Sequence, residues 1–232
     1  MVDRQTFETR EDLAIALADA VAADIAATIE AEGHATIAVS GGSTPAKFFM
    51  KLGKRKDIDW SRVTVTLVDE RWVDETSDRS NAMLVNEKML QGPAAVAKFL
   101  PLYSGGDEPD LMAIAKTNAS LAGLPHQFAS VILGMGTDGH TASFFPGGDT
   151  LDEALSNPGP ALAIHAPGAG EPRVTLTLPR LLQTRSLYLH IEGAEKSVVL
   201  DMALAPDGQI DEMPVRAVLR QTDKPVTVFW AP

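Results

Sequence analysis

Three short segments of the chain bring together residue types that do chemistry, and each directly follows an apolar, β-branched run. The first is Ser40-Gly41-Gly42-Ser43-Thr44-Pro45, after Val39. Glycines allow close backbone approach, hydroxyls donate, and a helix entered near Pro45 would point its free amides outward, which together hold a phosphate or carboxylate without a metal. Gly, Ser and Pro also build ordinary turns, but two glycines with three hydroxyls exceed what a turn needs. The GxxxxGK[ST] spacing of a nucleotide loop is absent. The second segment is Asp69-Glu70-Arg71-Trp72, three charges closing the strand-like VTVTLV. Charges at the rim of a buried strand are costly unless solvated or paired, so a solvated loop and a functional cluster both stay open. The third is Gly134-Met135-Gly136-Thr137-Asp138-Gly139-His140-Thr141-Ala142-Ser143. Its glycines satisfy GxGxxG, yet Asp152 and Glu153, at the distance where an acidic residue should close a second strand, lie in a stretch without strand pattern. Asp138 would also set a negative charge beside a pyrophosphate. What Asp138-Gly139-His140 does offer is a carboxylate and an imidazole suited to general-base work.

The other histidines, His34, His126, His165 and His190, have no comparable company, and no HExxH pair or other close ligand spacing suggests a metal. With no cysteine and no GxSxG elbow, direct activation of water is the hydrolytic route that remains. Arg173, before VTLTL, and Lys196, after Glu192-Gly193-Ala194-Glu195, read singly as surface charges.

These segments need a frame. Leu13, Leu17, Val21, Ile25 and Ile29 recur every four residues between a capping pair, Thr9 and Asp12, and a stop at Gly33, predicting one amphipathic helix over 10–32. Strands are predicted at 35–39, 63–68, 130–133, 174–178, 186–191 and 226–230, with helices around 46–52, 81–90, 111–121 and 195–204 between them. Alternation predicts an α/β fold with a mostly parallel sheet flanked by helices, and ligands in such sheets sit beyond the carboxyl ends of the strands. No internal repeat or boundary interrupts the 232 residues, so a single domain spanning 1–232 is expected. The formal net charge of −11 disfavours a nucleic-acid surface. Zero cysteine, no apolar leader in Met1-Val2-Asp3-Arg4-Gln5 and no run long enough to span a bilayer make the cytoplasm the expected location.

Taken together, SGGSTP at 40–45, DERW at 69–72 followed by Ser80-Asn81, GMGTDGHTASFFPG at 134–147, PRVTLT at 172–177 and GAEK at 193–196 resemble the 6-phosphogluconolactonase family over nearly the whole chain. The resemblance implies a three-layer Rossmann-like fold and hydrolysis of 6-phospho-D-glucono-1,5-lactone to 6-phosphogluconate in the pentose phosphate pathway, with no cofactor and no metal. It assigns the substrate phosphate to Gly41, Gly42, Ser43 and Thr44, with Arg173 and Lys196 as charge partners. It makes His140 the base for the attacking water, oriented by Asp138, puts Arg71 over the lactone, and sets Asp69 behind them. The oligomeric state is open, with a monomer favoured. Glucosamine-6-phosphate deaminases are the runner-up. They are similar in SGGSTP and DGH but look for a glutamate in a stretch like GHIAFNEP, where this chain has Phe144-Phe145-Pro146, and for tyrosine where it has Arg71. A non-catalytic sugar-phosphate sensor is the third reading, which His140 argues against.

Overall fold

The computed structural model describes all 232 residues. After β1 (Val2–Thr6), α1 (Arg10–Glu32) occupies the predicted span. Thr9 Oγ1 accepts the Asp12 N–H at 3.1 Å, and Gly33, at φ +83°, donates its N–H to the Ile29 carbonyl, so both ends are capped as the sequence indicates. Leu13, Leu17, Val21 and Ile25 are wholly buried and dock the helix on the sheet.

The chain continues through β2 (Ala35–Val39), α2 (Ala46–Gly53), β3 (Val63–Leu67), β4 (Asp69–Arg71), α3 (Asn81–Lys88), β5 (Lys98–Leu100), α4 (Leu111–Leu121) and β6 (Phe128–Leu133). It closes through α5 (Leu151–Ser156), β7 (Ala161–Ile164), β8 (Arg173–Leu176), α6 (Leu178–Leu181), β9 (Thr184–Glu192), α7 (Ala194–Leu204), α8 (Val215–Arg220) and β10 (Val226–Ala231). Seven strands pair in parallel in the order β1-β10-β9-β6-β2-β3-β5. From β2 the chain runs outward to β3 and β5, then returns to the opposite side of β2 with β6. The strand order therefore reverses between β2 and β6, and an open parallel sheet has its binding crevice at such a reversal. The segments following these two strands are 40–45 and 134–143. Ser40 N–H donates to Ile132 O at 2.9 Å and Gly134 N–H to Ser40 Oγ at 3.0 Å, tying the two together across the crevice.

One expectation is corrected. The run VTLTL at 174–178 is expected as one strand of a mostly parallel sheet, but residues 174–176 belong to β8 in a separate antiparallel sheet ordered β4-β8-β7, and Thr177 and Leu178 cap and begin α6. The strand 63–71 divides at Val68, whose N–H donates to Val39 O in the large sheet while its carbonyl accepts from Leu176 N–H in the small one. The two sheets share a core, since Ala161, Val174 and Leu176 belong to the same cluster of 59 buried apolar residues as the central strands. β1 and β5 escaped sequence reading because one is a polar, mostly exposed edge and the other spans three residues. No helix is long and apolar enough to cross a membrane.

Candidate active site

A cavity of about 210 Å³ opens at the strand reversal, and only four of its nineteen lining residues are hydrophobic, which fits a polar ligand. Gly41, Gly42, Ser43, Thr44, Asp69, Arg71, His140, Arg173 and Lys196 all line it. Of the predicted site residues, Asp138 alone stands outside the lining, behind His140.

The loop 40–45 leaves β2 and enters α2 through Pro45. Gly41 is required by space, because a Cβ there would lie 1.9 Å from Asn81 Oδ1. Asn81 is the first residue of α3, is buried, and donates from Nδ2 to Asp69 O at 3.0 Å. The 40–45 loop is thus pressed against the start of α3 and the Asp69-Arg71 strand. The sequence had placed Asn81 only as a companion of the DERW motif.

The glycines of segment 134–143 serve the histidine. A Cβ on Gly136 would fall 2.1 Å from His140 Nδ1 and 2.4 Å from Asp138 Oδ1, so the spacing that mimics a dinucleotide fingerprint makes room for a His-Asp pair. Asp138 Oδ1 lies 2.6 Å from His140 Nδ1 and accepts the His140 backbone N–H at 3.1 Å. A proton shared with that carboxylate sits on Nδ1, which leaves Nε2 as the lone-pair nitrogen. Burial raises the Asp138 carboxyl, but the hydrogen bonds and charge of His140 outweigh it and hold the group below its ordinary range. Asp138 therefore stays ionised and keeps the imidazole oriented.

The cations come from the small sheet and from α7. Antiparallel register sets Arg71 directly opposite Arg173. Arg173, 7% exposed, is a core residue and not the surface charge that its sequence context suggested. Its Nη2 donates to Ala169 O at 2.8 Å, its Nη1 is 3.6 Å from Asp69 Oδ2, and its Nε has no partner. Arg71 donates from Nη1 to Arg79 O at 2.5 Å, and its buried Nε is likewise unpaired. Burial lowers the Arg173 guanidinium from its ordinary value, and nearby Arg71 lowers it further against the pull of Asp69. Two adjacent guanidiniums, that of Arg173 desolvated, each with a buried Nε lacking a partner, are a setting that an anion would relieve. Lys196, in the first turn of α7, is partly buried too, and its ammonium donates to Met135 O. Burial lowers its pKa, with Asp138 and Glu195 opposing. Asp69 accepts the Ser143 hydroxyl at 2.5 Å, so it links the small sheet to the histidine loop.

Glu70 explains how three charges end a buried strand. Its carboxylate is fully buried and accepts the N–H groups of Arg71, Asn81 and Ala82, each at 2.8 Å, and the Ser80 hydroxyl at 3.1 Å. It caps α3 and fixes the backbone of Arg71 and Asn81 in one contact set. Burial nonetheless pushes its pKa up to about 7, the three N–H donors only partly offsetting desolvation. A carboxyl raised in the folded state holds its proton there between its unfolded pKa near 4.5 and about 7, so its contribution to stability declines as pH rises through that window. Chemical denaturation at pH 5 and pH 8 should show wild type losing up to about 3 kcal/mol relative to Glu70→Gln across the interval. A pH-independent difference between the two proteins would contradict the burial argument.

Sequence reasoning missed His190. It stands near the carboxyl end of β9, is 3% exposed, lines the cavity, and places Nε2 3.3 Å from Glu192 Oε1. The signal available was position, because it precedes Gly193 and α7 much as Val39 precedes the 40–45 loop and α2.

A Rossmann-like sheet with a glycine- and hydroxyl-rich loop, three cations and a carboxylate-paired histidine at its strand reversal defines a class: α/β proteins with a charged crevice beyond the carboxyl ends of the strands. Comparison with known proteins is specific about the family. A model of the glucosamine-6-phosphate isomerases/6-phosphogluconolactonases matches residues 8–230, and the chain belongs to that family. It is 50% identical over 229 residues to a 6-phosphogluconolactonase of Rhizobium meliloti, covering 97% of each chain. It is 38% identical over 233 residues to a 6-phosphogluconolactonase of Pseudomonas aeruginosa, covering 100% of this chain and 95% of that one. The crystal structure of a 6-phosphogluconolactonase from Shewanella baltica superposes with a TM-score of 0.96 at 39% identity, covering 100% of this chain and 98% of the other. A monomeric glucosamine-6-phosphate deaminase, 17% identical with a TM-score of 0.73 over 97% of this chain and 96% of the other, shares the fold.

Proposed function

We propose that the protein hydrolyses 6-phospho-D-glucono-1,5-lactone to 6-phospho-D-gluconate, the lactonase step of the pentose phosphate pathway. The observation that carries this reading is the oriented His140 inside a cavity lined by Arg71, Arg173 and Lys196, whose one lining carboxylate, Asp69, is engaged by Ser143 and Arg173, with no carboxylate at Phe144-Phe145-Pro146. Related names in the family support it.

The 40–45 loop with Lys196 and Arg173 holds the phosphate, so the lactone carbonyl faces His140 and Arg71. His140 Nε2 takes a proton from water as the water oxygen bonds to C1, and the carbonyl electrons move to its oxygen. A guanidinium at that oxyanion stabilises it where charge develops. Collapse of the tetrahedral intermediate breaks the bond from C1 to the ring oxygen, and the imidazolium returns its proton to the departing alkoxide. Water is consumed, the acid is formed and His140 is regenerated. In this reading the anionic partner is a small phosphosugar and not a nucleic acid, and the enzyme acts as a cytoplasmic monomer.

The lactone also opens spontaneously, so the test is the rate in excess of buffer, measured beside ammonia release from glucosamine 6-phosphate. A large excess on the lactone with no ammonia is expected. Ammonia release without lactone hydrolysis would transfer the protein to the deaminase reading, and phosphosugar binding with neither reaction would make it a sensor.

A further inference from the structure

Phe145 belongs to none of the polar groups described so far, yet it touches two of them. Its ring centroid is 4.1 Å from that of His140 with the planes 24° apart, and the Arg173 guanidinium carbon stands 5.0 Å from the same ring. The residue is 3% exposed. The chain reverses sharply to bring it there. Between His140 and Phe145 lies Ala142 at φ +48°, the one non-glycine residue with a positive φ, a conformation that costs an L-residue and needs support from its surroundings. That support is visible: Phe144 N–H donates to Thr141 O at 2.9 Å, Thr141 Oγ1 to Gly134 O at 2.7 Å, and Ser143 Oγ to Asp69 Oδ2 at 2.5 Å. The strained turn returns residue 145 over residue 140.

We propose that Phe145 is a positioning residue that sets the imidazole plane of His140 and holds it in register with Arg173. The inference rests on the reading of His140 as the base. The Asp138 bond anchors one ring atom, Nδ1, and leaves rotation about that bond free to swing Nε2 away from the water it must deprotonate. A ring stacked on the imidazole removes that freedom, and small errors in aim cost rate steeply. The electron-rich face of Phe145 also attracts cations, both the guanidinium beside it and the imidazolium that forms as the water gives up its proton. One side chain thus couples the anion-holding side of the cavity to the base.

The test replaces the phenyl group at two levels. Phe145→Leu keeps apolar volume and removes the ring, and pentafluorophenylalanine at position 145 keeps the shape while reversing the charge distribution of the face. With His140→Ala assayed in parallel, kcat, KM and Tm are measured for each. The expected result is a kcat about tenfold lower for Phe145→Leu, and a loss of about three- to tenfold in kcat/KM for the fluorinated protein at unchanged Tm. A fluorinated protein with wild-type kcat and KM overturns the proposal, because a space-filling role alone would leave those constants unmoved. If His140→Ala abolishes turnover in that same experiment, the hydrolytic reading stands and only the role of Phe145 falls. If His140→Ala keeps wild-type turnover, both fall.

Discussion

Alanine at His140 lowers kcat by about 10²–10⁴-fold, the range that a positioned general base contributes. Binding of 6-phosphogluconate is expected to stay within about threefold, since the base acts on the water in the transition state and not on the ground-state phosphate. The measurement is single-substrate kinetics with the buffer rate subtracted, paired with calorimetry on the product. Three features of the structure set the size of the effect. His140 lines the cavity, its Nδ1 is engaged by a carboxylate held ionised, and the other imidazole and the carboxylate of the lining are engaged elsewhere, His190 with Glu192 and Asp69 with Ser143 and Arg173. Turnover near wild type would remove His140 from the mechanism.

Lys196→Ala is expected to raise KM about 10- to 100-fold, in keeping with loss of a charge-assisted contact to phosphate, while kcat changes far less. Lys196 makes no ion pair with a carboxylate and gives its ammonium to a backbone carbonyl, so its charge is free to serve a ligand. Unphosphorylated glucono-1,5-lactone is the control: its kcat/KM, expected to be low without the phosphate contacts, should be indifferent to the substitution. An equal loss on both lactones would place Lys196 at the reacting carbonyl. Arg173 is expected to differ from Lys196 in one respect, because its contact with Phe145 adds a smaller loss of kcat to a rise in KM.

Much of the frame was legible because the relevant signals are local. The four-residue repeat of Leu13, Leu17, Val21 and Ile25 with caps at Thr9 and Gly33 specified α1 without reference to anything else. The central strands were legible because strands buried on both faces must be continuously apolar, as in ATIAV and in SVIL at 130–133, which β6 extends back to Phe128. VTLTL instead alternates apolar residues with threonine, as VTVTLV does in the parallel β3, so that pattern does not tell a parallel sheet from a three-stranded antiparallel one. That outcome depends on Val68, where one strand divides its hydrogen bonds between two sheets.

At the site, residue types alone fixed which chemistry was possible: an anion loop, a carboxylate-histidine pair and cations, on a chain without thiols. Tertiary structure decided which of them meet. Reversal of strand order joins segments 40–45 and 134–143 across about a hundred residues of sequence, and antiparallel register sets Arg71 opposite Arg173. Burial turned Arg173 from an apparent surface charge into a desolvated one, gave His190 a place in the cavity, and assigned Glu70 to holding α3. Chemical capacity belongs to the side chain and can be read in one dimension. Proximity, desolvation and orientation are relations between distant residues, and they exist only once the chain has folded.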